Sequence, residues 1–427
     1  MWERTKALCS IVFLISLLLG VVYNRPVDAD IYVVNGPNSV VTWPDDANGN
    51  VAPTTNLSGG STTFNDPDGI AIDENWMYVA NRVNNSIDVF PLDADGNTAP
   101  TSSIIGAATT FDGPIGVAVD ANWIYVANGT HQSIDVFPID ASGNVAPTRT
   151  IMGGSTGLSW PYDVAVDANW MYVPDCYNSR VVVFPLNADG NVAPTRIIVG
   201  GATTLGDPRG VTVDASWIYV ADHSSDSIAI FPLDADGNVA PTRSIAGGST
   251  TFNNPNDVAV DTDWMYVANN SNHSIDVFPI DADGNVAPTR SIQGGATTVS
   301  NPQGIIVTSV VTPIISSFSP SSGHTGSLIT ISGANFTDAT SVTFGDTDAA
   351  DFTVDSATQI TAEVAYGSTG TIKVTTPLGT GESSQTFTYK VVIPTLNEWG
   401  MIIAFFMLAG AGMIVMRRQR SGKVLAP

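Results

Sequence analysis

Asp73, Asp120, Asp167, Asp214 and Asp261 recur every 47 residues, each closing an apolar stretch, and Thr308 takes the sixth position. Carboxylates at one level of a ring could share a divalent cation, Ca2+ or another, the only cofactor the sequence raises. The competing reading is structural: each side-chain oxygen caps the tight turn that follows it. The D-x-D-G-N of Asp93, Asp234 and Asp281 opens like a calcium loop, but its twelfth position, where a bidentate glutamate belongs, holds Ile104, Ile245 and Ile292. An Asp-Gly turn is enough to explain it. GGSTG at 153–157 has the letters of a G-x-S-x-G nucleophile motif, yet it aligns with the repeated loop GGSTT at 247–251 and no helix follows. His131, His223 and His273 lie in separate loops, and Glu74 is the only glutamate between 31 and 309. No catalytic set assembles from these residues.

The elements that must position them are set by the period. Pro53, Pro100, Pro147, Pro194, Pro241 and Pro288 stand 47 apart, as do Trp76, Trp123, Trp170, Trp217 and Trp264, and DADGNVAPTR is written verbatim at 234–243 and 281–290. Such a period means stacked or ringed units. The unit starting near Pro241 reads as four strands, PTRSIAG, DVAVD, WMYVAN and SIDVFP, with β-branched and aromatic residues in the strands and Gly, Pro, Asn and Asp in the joints. The chain begins with a partial unit at 31–44 and ends the period with a lone strand at 304–309. The two fragments complement each other, and pairing them closes a ring without exposed edges, a six-bladed β-propeller over 30–309.

The stretch GPIGVAVDANWIYVANGTHQSIDVFPID at 113–140 resembles NHL propeller repeats, and His273 and Arg180 stand where that family often has the same types. After Val311 the period stops. Pro320, Gly323, Gly326, the ITISG of 329–333, Asn335, Phe336, Val342, Phe344, Gly345, Gly370 and Phe387 resemble an IPT/TIG domain, so an Ig-like β-sandwich is expected over 312–390. The whole is all-β.

Positions that vary among near-identical units are not dictated by the blade. Between the loop proline and the first apolar strand these are Asp68, Ile115, Tyr162, Arg209, Asn256 and Gln303. In the loop after the Trp strand they include Arg82, Val83, His131, Gln132, Cys176, Tyr177, His223, Asp226, Asn272 and His273. If successive strands run away from one face and return to it, both sets open together. The candidate ligand-binding face is therefore Asp68, Tyr162, Arg209, Asn256, Gln303, His131, Tyr177, His223 and His273, with drift on an unselected surface as the alternative.

At the N-terminus, Arg4 and Lys6 precede an apolar run that ends in small residues, so 1–29 reads as a secretory signal peptide. Cys9 would leave with it, and Cys176 would then be without a disulfide partner in the chain. At the C-terminus, 399–416 is uncharged and long enough as a helix for a bilayer core, and Arg417, Arg418 and Arg420 follow. IPTLNEWG, apolar helix and arginine cluster, 393–420, resemble the IPTL-CTERM sorting signal of bacterial envelope proteins. That resemblance implies a membrane protease as a partner, the other reading being a permanent membrane anchor. The net charge of −24 excludes nucleic acid as a partner. The expectation is an exported, cell-surface binding module for an envelope protein or glycan. The competing class is a lyase or lactonase with a divalent cation in the channel.

Overall fold

The computed structural model describes residues 30–391 other than 37, 309–311, 338, 368, 377 and 378, together with 408 and 409. The expected signal peptide lies outside the described residues, and so does the expected sorting signal with its transmembrane helix, Leu408 and Ala409 apart. Among the described residues no helix is long and apolar enough to cross a membrane.

Asp28–Ser309 forms one unit, and its described residues make six four-stranded sheets. One sheet runs Pro67–Ile72, Trp76–Asn81, Ser86–Pro91 and Ser102–Ile105, each strand antiparallel to the one before, and the others repeat that order. The first strand of each sheet is innermost and touches its counterparts on both sides: Pro67–Ile72 packs against Pro114–Val119 and against Pro302–Val307. The closing sheet joins the two ends of the unit, with Ile31 opposite Val307 and Tyr32 opposite Ile306. The strand expected to open each sequence unit is in fact outermost in the preceding sheet, since Arg243–Ala246 pairs with Ser227–Pro232. The sequence unit and the sheet are thus offset by one strand.

The repeated decapeptide joins neighbouring sheets. Gly96, Gly143, Gly190, Gly237 and Gly284 each make a parallel bridge to the outermost strand of the sheet before, and Gly49 makes the same bridge to Ile292. Asp95 Oδ1 accepts from the Asn56 amide at 2.7 Å, and Asn97 Oδ1 accepts from the Ser61 amide at 2.7 Å. Asp236 and Asn238 repeat both bonds three sheet pairs further on. The D-x-D-G-N carboxylate is therefore a hydrogen-bond clasp. The arginine that ends the phrase completes it: Arg149, Arg196, Arg243 and Arg290 lie 4.9–5.3 Å from the rings of Trp123, Trp170, Trp217 and Trp264. Each also donates through Nη1 to carbonyls of the next sheet, Leu186 and Ala188 in the case of Arg149.

Those tryptophans, and Trp76, whose unit has Ser102 in place of the arginine, are only partly buried. The fully buried aromatics are instead Tyr32, Tyr125, Tyr172, Tyr219 and Tyr266 and, one strand outward, Trp43, Phe90, Phe137, Phe184, Phe231 and Phe278. Burying a ring of this size stabilises by roughly 2–3 kcal/mol, so these two belts carry the core.

The second unit includes the described residues after 311. It is a sandwich of a four-stranded sheet, with Ile314–Ser319, Leu328–Ala334, Gln359–Glu363 and Asp351–Ser356, and a five-stranded sheet built around Gly370–Thr376 and Gly379–Tyr389. Alternate residues face inward, so Ile329, Ile331, Phe336, Phe344, Ile360, Ile372, Val374 and Phe387 make its core.

Candidate functional site

Innermost strands begin where second strands end: Pro67 pairs with Asn81, Pro114 with Asn128, Pro208 with Asp222 and Pro255 with Asn269. The two variable sets of the sequence therefore open on one face, at the mouth of the propeller axis. Asp68, Ile115, Tyr162, Asn256 and Gln303 line one depression there, and Arg209 reaches over it. Arg209 Nη1 donates to Asn256 Oδ1 at 2.9 Å, and its guanidinium stacks 5.1 Å from the Tyr162 ring. Asn256 Nδ2 in turn donates to Gln303 Oε1 at 3.1 Å, and Tyr162 Oη donates to Asn256 Oδ1 at 3.4 Å. On the other side of the mouth Arg82 lies 3.6 Å from Asp68 and 3.5 Å from Asp66.

Burial raises the Asp68 carboxyl to about 7, with Arg82 and Arg209 opposing that rise and Asp66 adding to it. Burial, and then the charge of Asp68, push the Tyr162 hydroxyl well above its usual range. His223 faces Asp207 at 3.5 Å and Asn254 at 3.3 Å, and its pKa is lowered by burial first and by Arg209 second. The Cys176 thiol, buried beside Asp207, is pushed up to about 12 and is no nucleophile. The site offers hydrogen-bond donors and acceptors held rigidly, and one carboxyl able to exchange a proton near neutral pH.

Beneath the mouth the axis is closed. In the position after the variable residue the units read Gly69, Gly116, Asp163, Gly210, Asp257 and Gly304. Asp163 accepts from the Val211 amide at 3.0 Å, and Asp257 accepts from the Ile305 amide at 2.8 Å. A Cβ on Gly116 would stand 2.4 Å from the Cα of Asp163, and one on Gly210 would stand 2.5 Å from the Cα of Asp257. Only glycine permits that approach. The depression that these residues line together with Asp68, Ile115, Tyr162, Asn256 and Gln303 holds only ≈10 Å³, at most a single water. Burial raises the Asp163 carboxyl to about 7, and burial with the nearby Asp163 charge raises that of Asp257.

Three groups of expected site residues sit elsewhere. His131 bonds to Ser133 at 3.1 Å, and His273 accepts the Asn301 amide at 2.9 Å with a left-handed φ of 54°. Both serve the loops and stand apart from the mouth network. Tyr177 stacks on Trp160 at 5.1 Å, beside the network and 69% exposed. The aspartates considered for a cation, Asp73, Asp120, Asp167, Asp214 and Asp261, cap their turns. Asp73 Oδ1 accepts from the amides of Asn75 and Trp76, and Oδ2 accepts the Tyr78 hydroxyl at 2.7 Å, and the other four do the same with Tyr125, Tyr172, Tyr219 and Tyr266. With both oxygens engaged in their own sheet, they do not converge on one ion. Among the described residues no group of three His, Cys, Asp or Glu side chains is placed to hold a metal.

The sequence reading passed over Asp66, Trp160 and Asp207. They occupy the position just before the loop proline, where the units read Asp66, Gly113, Trp160, Asp207, Asn254 and Asn301. The same comparison of units would have found them.

Residues 313–390 match the family model described as IPT/TIG domain. Residues 31–152 and 63–205 match the one described as Lactonase, 7-bladed beta-propeller. That description says seven blades, whereas the described residues of this propeller contain six four-stranded sheets with the last closed on the first. No curated protein matches the sequence. Among solved structures, a chain from the nidogen/laminin complex is 17% identical, with TM-score 0.51 over 65% of this chain and 98% of that one. A protein of unknown function from Bacteroides caccae is 10% identical, with TM-score 0.48 over 66% and 98%. A putative 6-phosphogluconolactonase from Bacteroides uniformis is 16% identical, with TM-score 0.45 over 63% and 83%. The chain is an all-β protein in which an IPT/TIG domain follows a β-propeller.

Proposed function

We propose that this is an exported binding module that captures an envelope or extracellular partner on the mouth face of its propeller, with the C-terminal IPTL-CTERM-like segment sorting or anchoring it. The NHL-like character of the repeats is part of that reading. The observation that carries it is where the repeats disagree: the clasp, the turn caps and both aromatic belts recur every 47 residues, while Asp68, Tyr162, Arg209, Asn256 and Gln303 differ in each sheet and meet at one mouth. Rigid blades that hold a ring of dissimilar side chains suit recognition. The test is capture from an envelope extract by the full chain and by a variant with Arg209→Ala and His223→Ala. A partner retained by the first and lost by the second supports the reading. Equal recovery by both sinks it.

A second reading, a lactone hydrolase, rests on the match to the lactonase propeller family and on Asp68. A carboxyl that ionises at about 7 beside Tyr162 and Arg209 suits a general base. It would take a proton from water as the water oxygen bonds to the lactone carbonyl carbon, and the ring C–O bond would break to give a hydroxy acid. Lactone turnover that disappears in Asp68→Asn, with the fold intact, would favour this reading over the first.

A further inference from the structure

Only one of the six units puts aromatic rings on the mouth face. Where it has Trp160, the others have Asp66, Gly113, Asp207, Asn254 and Asn301, and where it has Tyr177 the units with that loop have Val83, Thr130, Ser224 and Ser271. Tyr177 lies on Trp160 with the rings 26° from parallel and leaves its outer face in solvent. Trp160 packs beneath it with Ile115, Tyr162 and Cys176. The adjoining loop is tied on by a bond from Ser179 Oγ to the Gly206 carbonyl, and it brings Asp207, Arg209 and His223 alongside. A flat apolar surface therefore borders a carboxylate, a guanidinium, an imidazole and the Asn254 amide.

The charges on this face are already answered. Arg82 is held by Asp66 and Asp68, Arg180 by the buried Asp175, and Arg209 by Asp207. The remaining arginines of the propeller belong to the clasp on the Trp turns, and the sequence has no lysine between 30 and 309. An anionic ligand would find no unpaired cation here, inside a chain of net charge −24. A cation would meet carboxylates already paired. A pyranose fits both features: the C–H face of its ring is apolar, and the hydroxyls around its edge each donate and accept, as the mixed donors and acceptors beside Tyr177 require.

Resting on the binding reading above, we infer that the partner is recognised through a neutral sugar, with one pyranose ring stacked on Tyr177 and its hydroxyls bonded to Asp207, Arg209 and His223. The test titrates the full chain with neutral tetrasaccharides of glucose, mannose, galactose and N-acetylglucosamine, and with an oligogalacturonate carrying a carboxylate on each ring. Heat of binding and tryptophan emission are the readouts. Saturable binding of a neutral oligosaccharide is expected. Tyr177→Ala should weaken it about tenfold and Tyr177→Phe should leave it nearly unchanged, as loss of one stacked ring predicts. Tyr177 is exposed enough for both variants to fold. Tighter binding of the oligogalacturonate would overturn the neutral-ligand inference while leaving the face in place. Absence of oligosaccharide binding, with capture from extract still lost in the Arg209 and His223 variant, would overturn the sugar and keep the module. Absence of both would overturn the two together.

Discussion

Replacing Arg180 by serine tests how one blade departs from the others without losing its fold. Asp175 is fully buried, and Arg180 donates to its Oδ2 through Nε at 3.0 Å and Nη2 at 2.8 Å. Three other donors remain to that carboxylate, the amides of Ser159 and Trp160 and the Asn178 side chain. Breaking a buried ion pair by removing one partner costs about 3–5 kcal/mol. The next sheet moderates that figure, because Asp222 stands in the same position with no arginine and is held by amides of Gly206, Asp207 and Ser225 and by the Ser224 hydroxyl. A cost of about 3 kcal/mol, the lower end, is therefore expected for Arg180→Ser. The protein itself supplies the rescue. Asn81, Asn128 and Asn269 occupy the Asp175 position elsewhere, followed by Ser86, Ser133 and Ser274 at the Arg180 position, and each asparagine donates to a loop carbonyl, Thr63 in the first case at 2.8 Å. The equivalent carbonyl, Gly157, is the one Arg180 already reaches. The double variant Asp175→Asn with Arg180→Ser should thus return to within about 1 kcal/mol of the parent, a coupling typical of residues in direct contact. Urea unfolding followed by tryptophan emission reports mainly on the propeller, since seven of the nine tryptophans lie between 30 and 309 and none between 312 and 391. A single variant costing under about 1 kcal/mol, or a double variant no more stable than the single, would refute the reasoning.

Acidification should stabilise the propeller. Asp68 and Asp163, raised by burial from 3.8 to about 7, hold protons in the folded chain that the unfolded chain has released. Folding therefore takes up protons between those values, and stability falls as pH rises towards 7 and levels off above it. The urea midpoint at pH 5 should exceed that at pH 8, and Asp163→Asn should reduce the difference; an equal midpoint at both pH values contradicts the burial. Arg196→Met removes the stack on Trp170 and the bonds to Leu233 and Ala235, and should cost about 1–3 kcal/mol by the same titration. Tyr177→Ala, at 69% exposure, should change stability by no more than about 0.5 kcal/mol.

The architecture was legible because a fixed period ties every strand to a copy of itself, and the complementary fragments at 31–44 and 304–309 have only one another to pair with. What the period could not reveal is which neighbour a strand joins. That is why the PTRSI strand was placed in the wrong sheet, and why the decapeptide read as a hairpin turn when it is a clasp between sheets. The tryptophans show a related limit: recurrence marks a structural role but does not distinguish a fully buried ring from a partly buried one stacked under arginine. At the site, comparison of units found Tyr162, Arg209, Asn256 and Gln303, which do form one network. It also put His131 and His273 in the same set, although loop geometry explains both. The restriction of Gly69, Gly116, Asp163, Gly210, Asp257 and Gly304 to glycine and aspartate was visible too, but its meaning needs the distance across the axis.

The central claim is that the repeats are scaffold and that recognition lies where they disagree. Arg209→Ala and Arg243→Ala remove the same side chain, one from the mouth and one from the clasp. Partner capture per folded molecule, measured on both variants beside their urea midpoints, separates the two roles. The account predicts that Arg209→Ala loses capture and keeps its midpoint, while Arg243→Ala lowers the midpoint and captures normally. Normal capture by Arg209→Ala, with capture lost in a folded Arg243→Ala, would contradict it.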